Sequence, residues 1–213
     1  MFPDPLSPGV PDYWPKACDH LRRQDPVMGR LVAQHAPSAM VCRGDIFTTC
    51  ARAIVGQQIS VKAAASVWSR VTERFPVLTP ASLAAAPASM FEALGLSNRK
   101  VDYLRALATH LDRHPDFERE LHHDNDPAAI ARLTQIRGIG RWTAEMALMF
   151  ALGRPDVFPS ADLGLQKAIA LHYRQGRALS ASTLSRISRP WQPYRTVATW
   201  YLWRSLDPEP VEY

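Results

Sequence analysis

Two glycines set the most constraining turn in this 213-residue chain. Over residues 133–144, LTQIRGIGRWTA, apolar Leu133 and Ile136 stand about one helical turn apart, Gly138 and Gly140 interrupt the pattern, and helical spacing resumes at Arg141. The stretch predicts two helices joined by a tight hairpin. Glycine adopts φ > 0 without steric cost and presents no side chain, so both glycines are expected to leave room for a bound group. The amides opening the second helix then point at that group with the helix dipole behind them, which suits a phosphate. Taken alone, a GxG between helices is usually a C-cap followed by a turn. The loop GRPDVFPSAD follows shortly and delivers a carboxylate, Asp162.

The rest of the chain repeats the helical pattern without a convincing alternating strand, which predicts an all-α fold. Helices are expected at 12–24 and 26–35, with Pro26 in a first turn, and at 46–55 running through GQQIS into 60–75. Shorter ones follow Thr79-Pro80 and cover 89–94. A long helix over 97–114 sets Val101, Leu104, Leu107, Ala108 and Leu111 on one face. The polar segment HPDFERELHHDND reads as a surface connection. Asp126-Pro127 opens the helix entering the hairpin, 141–152 leaves it, and 161–173 and 190–206 complete the set.

A hydrophobic content of 46% supplies a core for one domain or two closely joined lobes. The net charge of +5 favours a polyanionic partner, although arginine makes up all of the basic residues except Lys16, Lys62, Lys100 and Lys167. Cys18, Cys42 and Cys50 are too few for a four-thiolate cluster and odd in number for a secreted disulfide framework, which points to a reducing cytoplasm. The opening MFPDPLSPGVPDYWP lacks the basic and apolar regions of a leader, and no stretch reaches the roughly 18 apolar residues of a membrane span. His110, His114, His122 and His123 lie close in sequence, but without a cysteine or an HExxH pattern beside them they predict no metal site.

Leu133, Ile136, Gly138, Ile139, Gly140, Thr143 and Ala144 together match the helix-hairpin-helix motif, with small Ala144 where the helices approach. Three further blocks accompany it in order: AIVGQQISVKAAA, DVFPSADLGLQKAI and WQPYRTVATWYLWR. From Tyr13 to Leu206 the chain resembles the helix-hairpin-helix (HhH-GPD) DNA glycosylase superfamily, and within it the alkyladenine branch of 3-methyladenine DNA glycosylase II. The resemblance implies a two-lobed helical fold in a compact form without the N-terminal α/β domain of longer bacterial members. It places the lobes within residues 10–207, at roughly 45–150 and roughly 10–44 plus 151–207, with a substrate cleft between them.

The same resemblance implies a monofunctional enzyme that hydrolyses the N-glycosidic bond of alkylated purines in double-stranded DNA, initiating base excision repair. Asp162 matches the catalytic aspartate, although by position alone it is also a first-turn helix acid. A fixed carboxylate there stabilises positive charge developing on the sugar or orients water. Trp142 stands two residues after the second hairpin glycine, where relatives that also cut the strand carry a Schiff-base lysine. Trp142, Met146 and Trp203 are expected by resemblance to shape an aromatic slot for a cationic base, while a Trp and Met at this spacing alone more often belong to a core.

Gln58 matches the residue that fills the stack after a base is displaced, and Ser60 is either a minor-groove contact or a helix cap. Gly138, Gly140 and Thr143 are expected to hold backbone phosphate, and Glu145 reads as part of a solvated helix face. No cofactor is required, and the resemblance allows a monovalent cation on the hairpin carbonyls. The expected protein is a cytoplasmic, nucleoid-associated monomer with no membrane contact. Alternatives are a non-catalytic helix-hairpin-helix DNA-binding module and a glycosylase with abasic-site lyase activity.

Overall fold

The computed structural model describes residues 9–207, and the MFPDPLSP opening of the leader reading lies outside them. In chain order the helices are α1 (Trp14–Gln24), α2 (Pro26–His35), α3 (Ile46–Gly56), α4 (Val61–Arg74), α5 (Pro80–Ala85), α6 (Ala88–Ala93) and α7 (Asn98–Arg113). They continue as α8 (Phe117–His123), α9 (Asp126–Leu133), α10 (Arg141–Phe150), α11 (Leu163–Arg174), α12 (Ala181–Ser188) and α13 (Arg195–Arg204). A short 3-10 turn, Arg189–Trp191, precedes α13. Among the described residues the only extended pairing is an isolated bridge between Gly9 and Cys42, so the fold is all-α, as the periodicity predicts. The helices gather into two compact units, one comprising Asp45–Leu152 and the other the described residues before Asp45 and from Gly153 onward.

Within the unit Asp45–Leu152, α3 packs against α4, α7 and α10. Its Ile46, Phe47, Ala51, Ala53, Ile54 and Val55 are buried, each large side chain contributing roughly 1.5–3 kcal/mol. Asp45 starts the helix by accepting the amides of Phe47 and Thr48, and fully buried alanines on both α3 and α10 let the two backbones approach. The long face expected over 97–114 is present: Val101, Leu104, Leu107 and Ala108 on α7 are buried. The segment after it differs from the sequence reading. α8 replaces the expected surface connection and buries Phe117 and Leu121, four residues apart on one face.

In the other unit α13 is buried from Thr196 to Trp203 and packs against α1, α2 and α11. Asp25 ties three elements together there. One carboxylate oxygen accepts the amides of Val27 and Met28, and the other accepts the Tyr173 hydroxyl and the Trp191 indole N–H, each at 2.8 Å. Two boundaries differ from the sequence reading in this unit. α12 lies in a stretch without an expected helix, capped by Ser180 and burying little beyond Leu184. The helix expected over 190–206 is broken at Gln192-Pro193, because proline has no N–H to donate and disfavours helical geometry in the residue before it.

Candidate active site

Asp162 owes its placement to both ends of α13. At the start of that helix, Arg195 grips Asp156 through two contacts, Nε to Oδ1 at 2.8 Å and Nη2 to Oδ2 at 2.7 Å. Beside it the Thr196 hydroxyl donates to the carbonyl of Arg154 at 2.6 Å and accepts the amide of Val157 at 2.9 Å. These contacts fix the first half of the loop leading to the acid. At the other end of α13, the Trp203 indole Nε1–H donates to Asp162 Oδ1 at 2.8 Å. The same oxygen accepts the amide of Leu165 at 2.6 Å, which makes Asp162 the N-cap of α11. Two donors on one oxygen set the plane of the half-buried carboxylate.

Gly164 lies beside that arrangement. A Cβ at this position would stand 3.2 Å from Asp162 Oδ1, close enough to press on the carboxylate, and in ordinary contact with the Trp203 ring at 3.5 Å. Neither Gly164 nor the Arg195–Asp156 pair is visible in the sequence as part of a site. The only available signal is their position within the DVFPSADLG and YRTVATW blocks.

In the unit Asp45–Leu152 the glycine hairpin connects α9 to α10, and its glycines serve different ends. Gly138 has φ +94°, and a Cβ there would lie 2.2 Å from Cγ of Tyr103, so both backbone conformation and packing exclude a side chain. Gly140 has φ −87°, an ordinary value, and nothing lies within 4 Å of where its Cβ would stand. The freedom to take φ > 0 is therefore used only at Gly138, and the room expected beside both glycines is present only at Gly140. Gly140 is the N-cap of α10 and, having no side chain, brings no acceptor of its own to the amides of the first turn. An exposed position and open space at a helix start whose cap residue has no side chain together suit an anion.

Facing the hairpin is the loop between α3 and α4. The Gln57 carboxamide donates from Nε2 to the carbonyl of Gly138 and to Oγ1 of Thr143, both at 3.1 Å. Gln58 is exposed and holds φ +61°, a left-handed conformation uncommon outside glycine. Ser60 caps α4, accepting the amide of Ala63 at 3.3 Å. Lys100 reaches across from α7 and donates to the carbonyl of Val55 at 2.6 Å, and burial lowers its pKa from the usual lysine value.

Several residues differ in placement from the sequence reading. Thr143 is buried, and its hydroxyl accepts from Gln57 instead of facing a phosphate. Met146 is fully buried and presents no surface to a base, whereas Trp142 is half-exposed at the start of α10. Trp203 is only 7% exposed, and its polar edge serves Asp162. Glu145, expected on a solvated face, is buried and pairs with exposed Arg141 at 2.9 Å, one helical turn away.

The His110 and His114 rings lie 4.6 Å apart with Phe117 against the first, and burial, helped by the neighbouring imidazole, lowers the His110 pKa. No group of three or more metal-ligating side chains converges among the described residues. All three cysteines are buried, and burial pushes the thiols of Cys42 and Cys50 up to about 11 and about 12, which makes them poor nucleophiles. The hairpin carbonyls of Leu133, Ile136 and Gly138 each accept a hydrogen bond, from Ile136, Ile139 and Gln57 respectively.

Residues 51–193, more than half of the chain, match the family model described as HhH-GPD superfamily base excision DNA repair protein. The chain belongs to this superfamily. The HhH-GPD match includes the hairpin and Asp162 and ends before Trp203. Over 183 residues the chain is 33% identical to DNA-3-methyladenine glycosylase 1 of Schizosaccharomyces pombe, covering 83% of this chain and 79% of the relative. It superimposes with a TM-score of 0.78 and 30% identity on an S. pombe 3-methyladenine DNA glycosylase, Mag1, solved with abasic DNA, over 89% of this chain and 96% of that one. A DNA-3-methyladenine glycosidase from Bacillus halodurans superimposes with a TM-score of 0.74 at 30% identity, over 94% of this chain and 92% of its own. Among the described residues no helix is long and apolar enough to cross a membrane.

Proposed function

We propose that this HhH-GPD protein is a monofunctional DNA glycosylase that hydrolyses the N-glycosidic bond of alkylated purines in duplex DNA. The observation that carries the reading is the carboxylate of Asp162, whose Oδ1 is held by the Trp203 indole and the Leu165 amide. As the bond between the sugar C1′ and the purine breaks, its electron pair leaves with the base and positive charge develops on the deoxyribose. A carboxylate whose orientation is already set stabilises that charge without reorganising, and it orients the water that supplies the hydroxyl at C1′. A base alkylated to a cation departs neutral, so a strong general acid is not needed to protonate it.

The remaining parts serve recognition. Gly140 and the start of α10 seat a backbone phosphate, which positions DNA without reading its sequence. Gln58 enters the stack where the damaged base has left, and the half-exposed indole of Trp142 offers a π face to a cationic purine. Trp142 also stands where a lyase would need its amine nucleophile, so the abasic strand is left intact. The reaction so described uses no cofactor, and a cation at the hairpin would have to share carbonyls that already accept hydrogen bonds. A monomer suffices for it.

The test is to incubate the purified protein with methylated duplex DNA and to measure released bases, alkali-labile sites and borohydride-trapped covalent complex. Base release with alkali-labile sites and no trapped complex is expected. Binding without release would instead support a non-catalytic module, and trapping would support a lyase.

A further inference from the structure

The loop that carries Gln58 is fastened to the hairpin by its neighbour. Gln57 follows the last turn of α3, with its amide on the carbonyl of Ile54 at 3.2 Å, and its half-buried side chain spans from Gly138 to Thr143. Those two acceptors bracket Gly140, one before it in the positive-φ turn and one after it in the first turn of α10. Both hydrogens of one carboxamide are therefore spent on the two sides of the anion seat. Lys100 holds the carbonyl of Val55 on the near side of the loop, and Ser60 caps α4 on the far side. Between these anchors the exposed pair is Gln58, in a left-handed backbone conformation, and Ile59, which is 40% exposed.

A side chain that displaces a stacked base needs a backing that does not recoil. An unusual backbone conformation persists only where its surroundings hold it. We propose that Gln57 is a positioning residue that couples the phosphate grip to the base-displacing loop, so that opening the duplex depends on it while breaking the bond does not. The proposal rests on the glycosylase reading above. Seating a phosphate at Gly140 then sets the height of Gln58 relative to the same strand, because one carboxamide spans both structures.

The experiment compares wild type with Gln57→Met, which keeps side-chain length and removes both donors. Two duplexes each carry one 7-methylguanine, either paired with cytosine or facing an abasic analogue, with 2-aminopurine beside the lesion as a fluorescent report of unstacking. For Gln57→Met, single-turnover release from the paired duplex is expected to fall about tenfold, the scale of one or two hydrogen bonds. Release from the duplex without a partner base is expected to fall less than about twofold, since no pair has to be opened. The 2-aminopurine rise on binding paired DNA is expected to shrink in parallel.

Equal losses on both duplexes, or no loss on either, would overturn the coupling. If Gln57→Met melts well below wild type, Gln57→Leu provides the same comparison, because it adds no charge beside the anion seat and cannot donate to Gly138 or Thr143. A wild-type protein that releases neither lesion would defeat the glycosylase reading itself, and the coupling with it. Wild-type release with an unchanged Gln57→Met would defeat only the coupling.

Discussion

Gly138 and Gly140 look interchangeable in the string GIG, and the structure separates them. Gly138→Ala would place a Cβ 2.2 Å from the Tyr103 ring on a backbone with φ +94°, and is expected to lower stability by at least about 2 kcal/mol in urea unfolding. Gly140→Ala meets nothing within 4 Å at an ordinary φ, so its stability is expected within about 0.5 kcal/mol of wild type while its affinity for duplex DNA drops. If both variants lost stability equally, the anion seat at Gly140 would lose its support. The motif was legible as a turn because glycine spacing is local information. The division of labour was not, since it depends on Tyr103, which nothing in the motif points to. For the same reason the hydroxyl of Thr143, expected at a phosphate, and the thioether of Met146, expected at a base, are both buried in the fold.

Helices with a capping side chain and a continuous apolar face were legible as elements. Asp45 before α3, Ser97 before α7 and the Thr79 capping box before α5 all mark starts that the sequence places within a residue or two. α8 was hidden by its polarity: FERELHH carries only Phe117 and Leu121 as apolar residues, and their spacing of four is a helical stripe too short to stand out. Both are buried, so the helix is part of the core of its unit. Leu121→Ala is accordingly expected to cost about 2–5 kcal/mol by chemical denaturation. A cost under about 0.5 kcal/mol, ordinary for a surface residue, would restore the reading of a surface connection. α12 was hidden for a similar reason, as its ASTLSRIS sequence buries chiefly Leu184, and Pro193 marked a break that the apolar run around it obscured.

For the molecule as a whole, the contacts that set the site join residues far apart in the chain. Asp162 and Trp203 are 41 positions apart, Asp156 and Arg195 are 39 apart, and Gln57 and Gly138 are 81 apart. No local pattern encodes such pairs, so the sequence supplied the candidate acid and hairpin but not what holds either in place. The net charge of +5 is consistent with a polyanionic partner and does not say which face meets it.

In the proposed reaction the Asp162 carboxylate is the group that acts on the sugar. The most direct measurement is single-turnover base release from a duplex containing one 7-methylguanine, for wild type and Asp162→Asn, alongside affinity for a duplex carrying an abasic analogue. Asp162→Asn keeps an oxygen for the Leu165 and Trp203 donors and removes the charge, so release is expected to fall by a factor of about 100 or more. Affinity should stay within about threefold, because phosphate contacts dominate binding. A folded Asp162→Asn protein that releases the base at the wild-type rate would contradict the account.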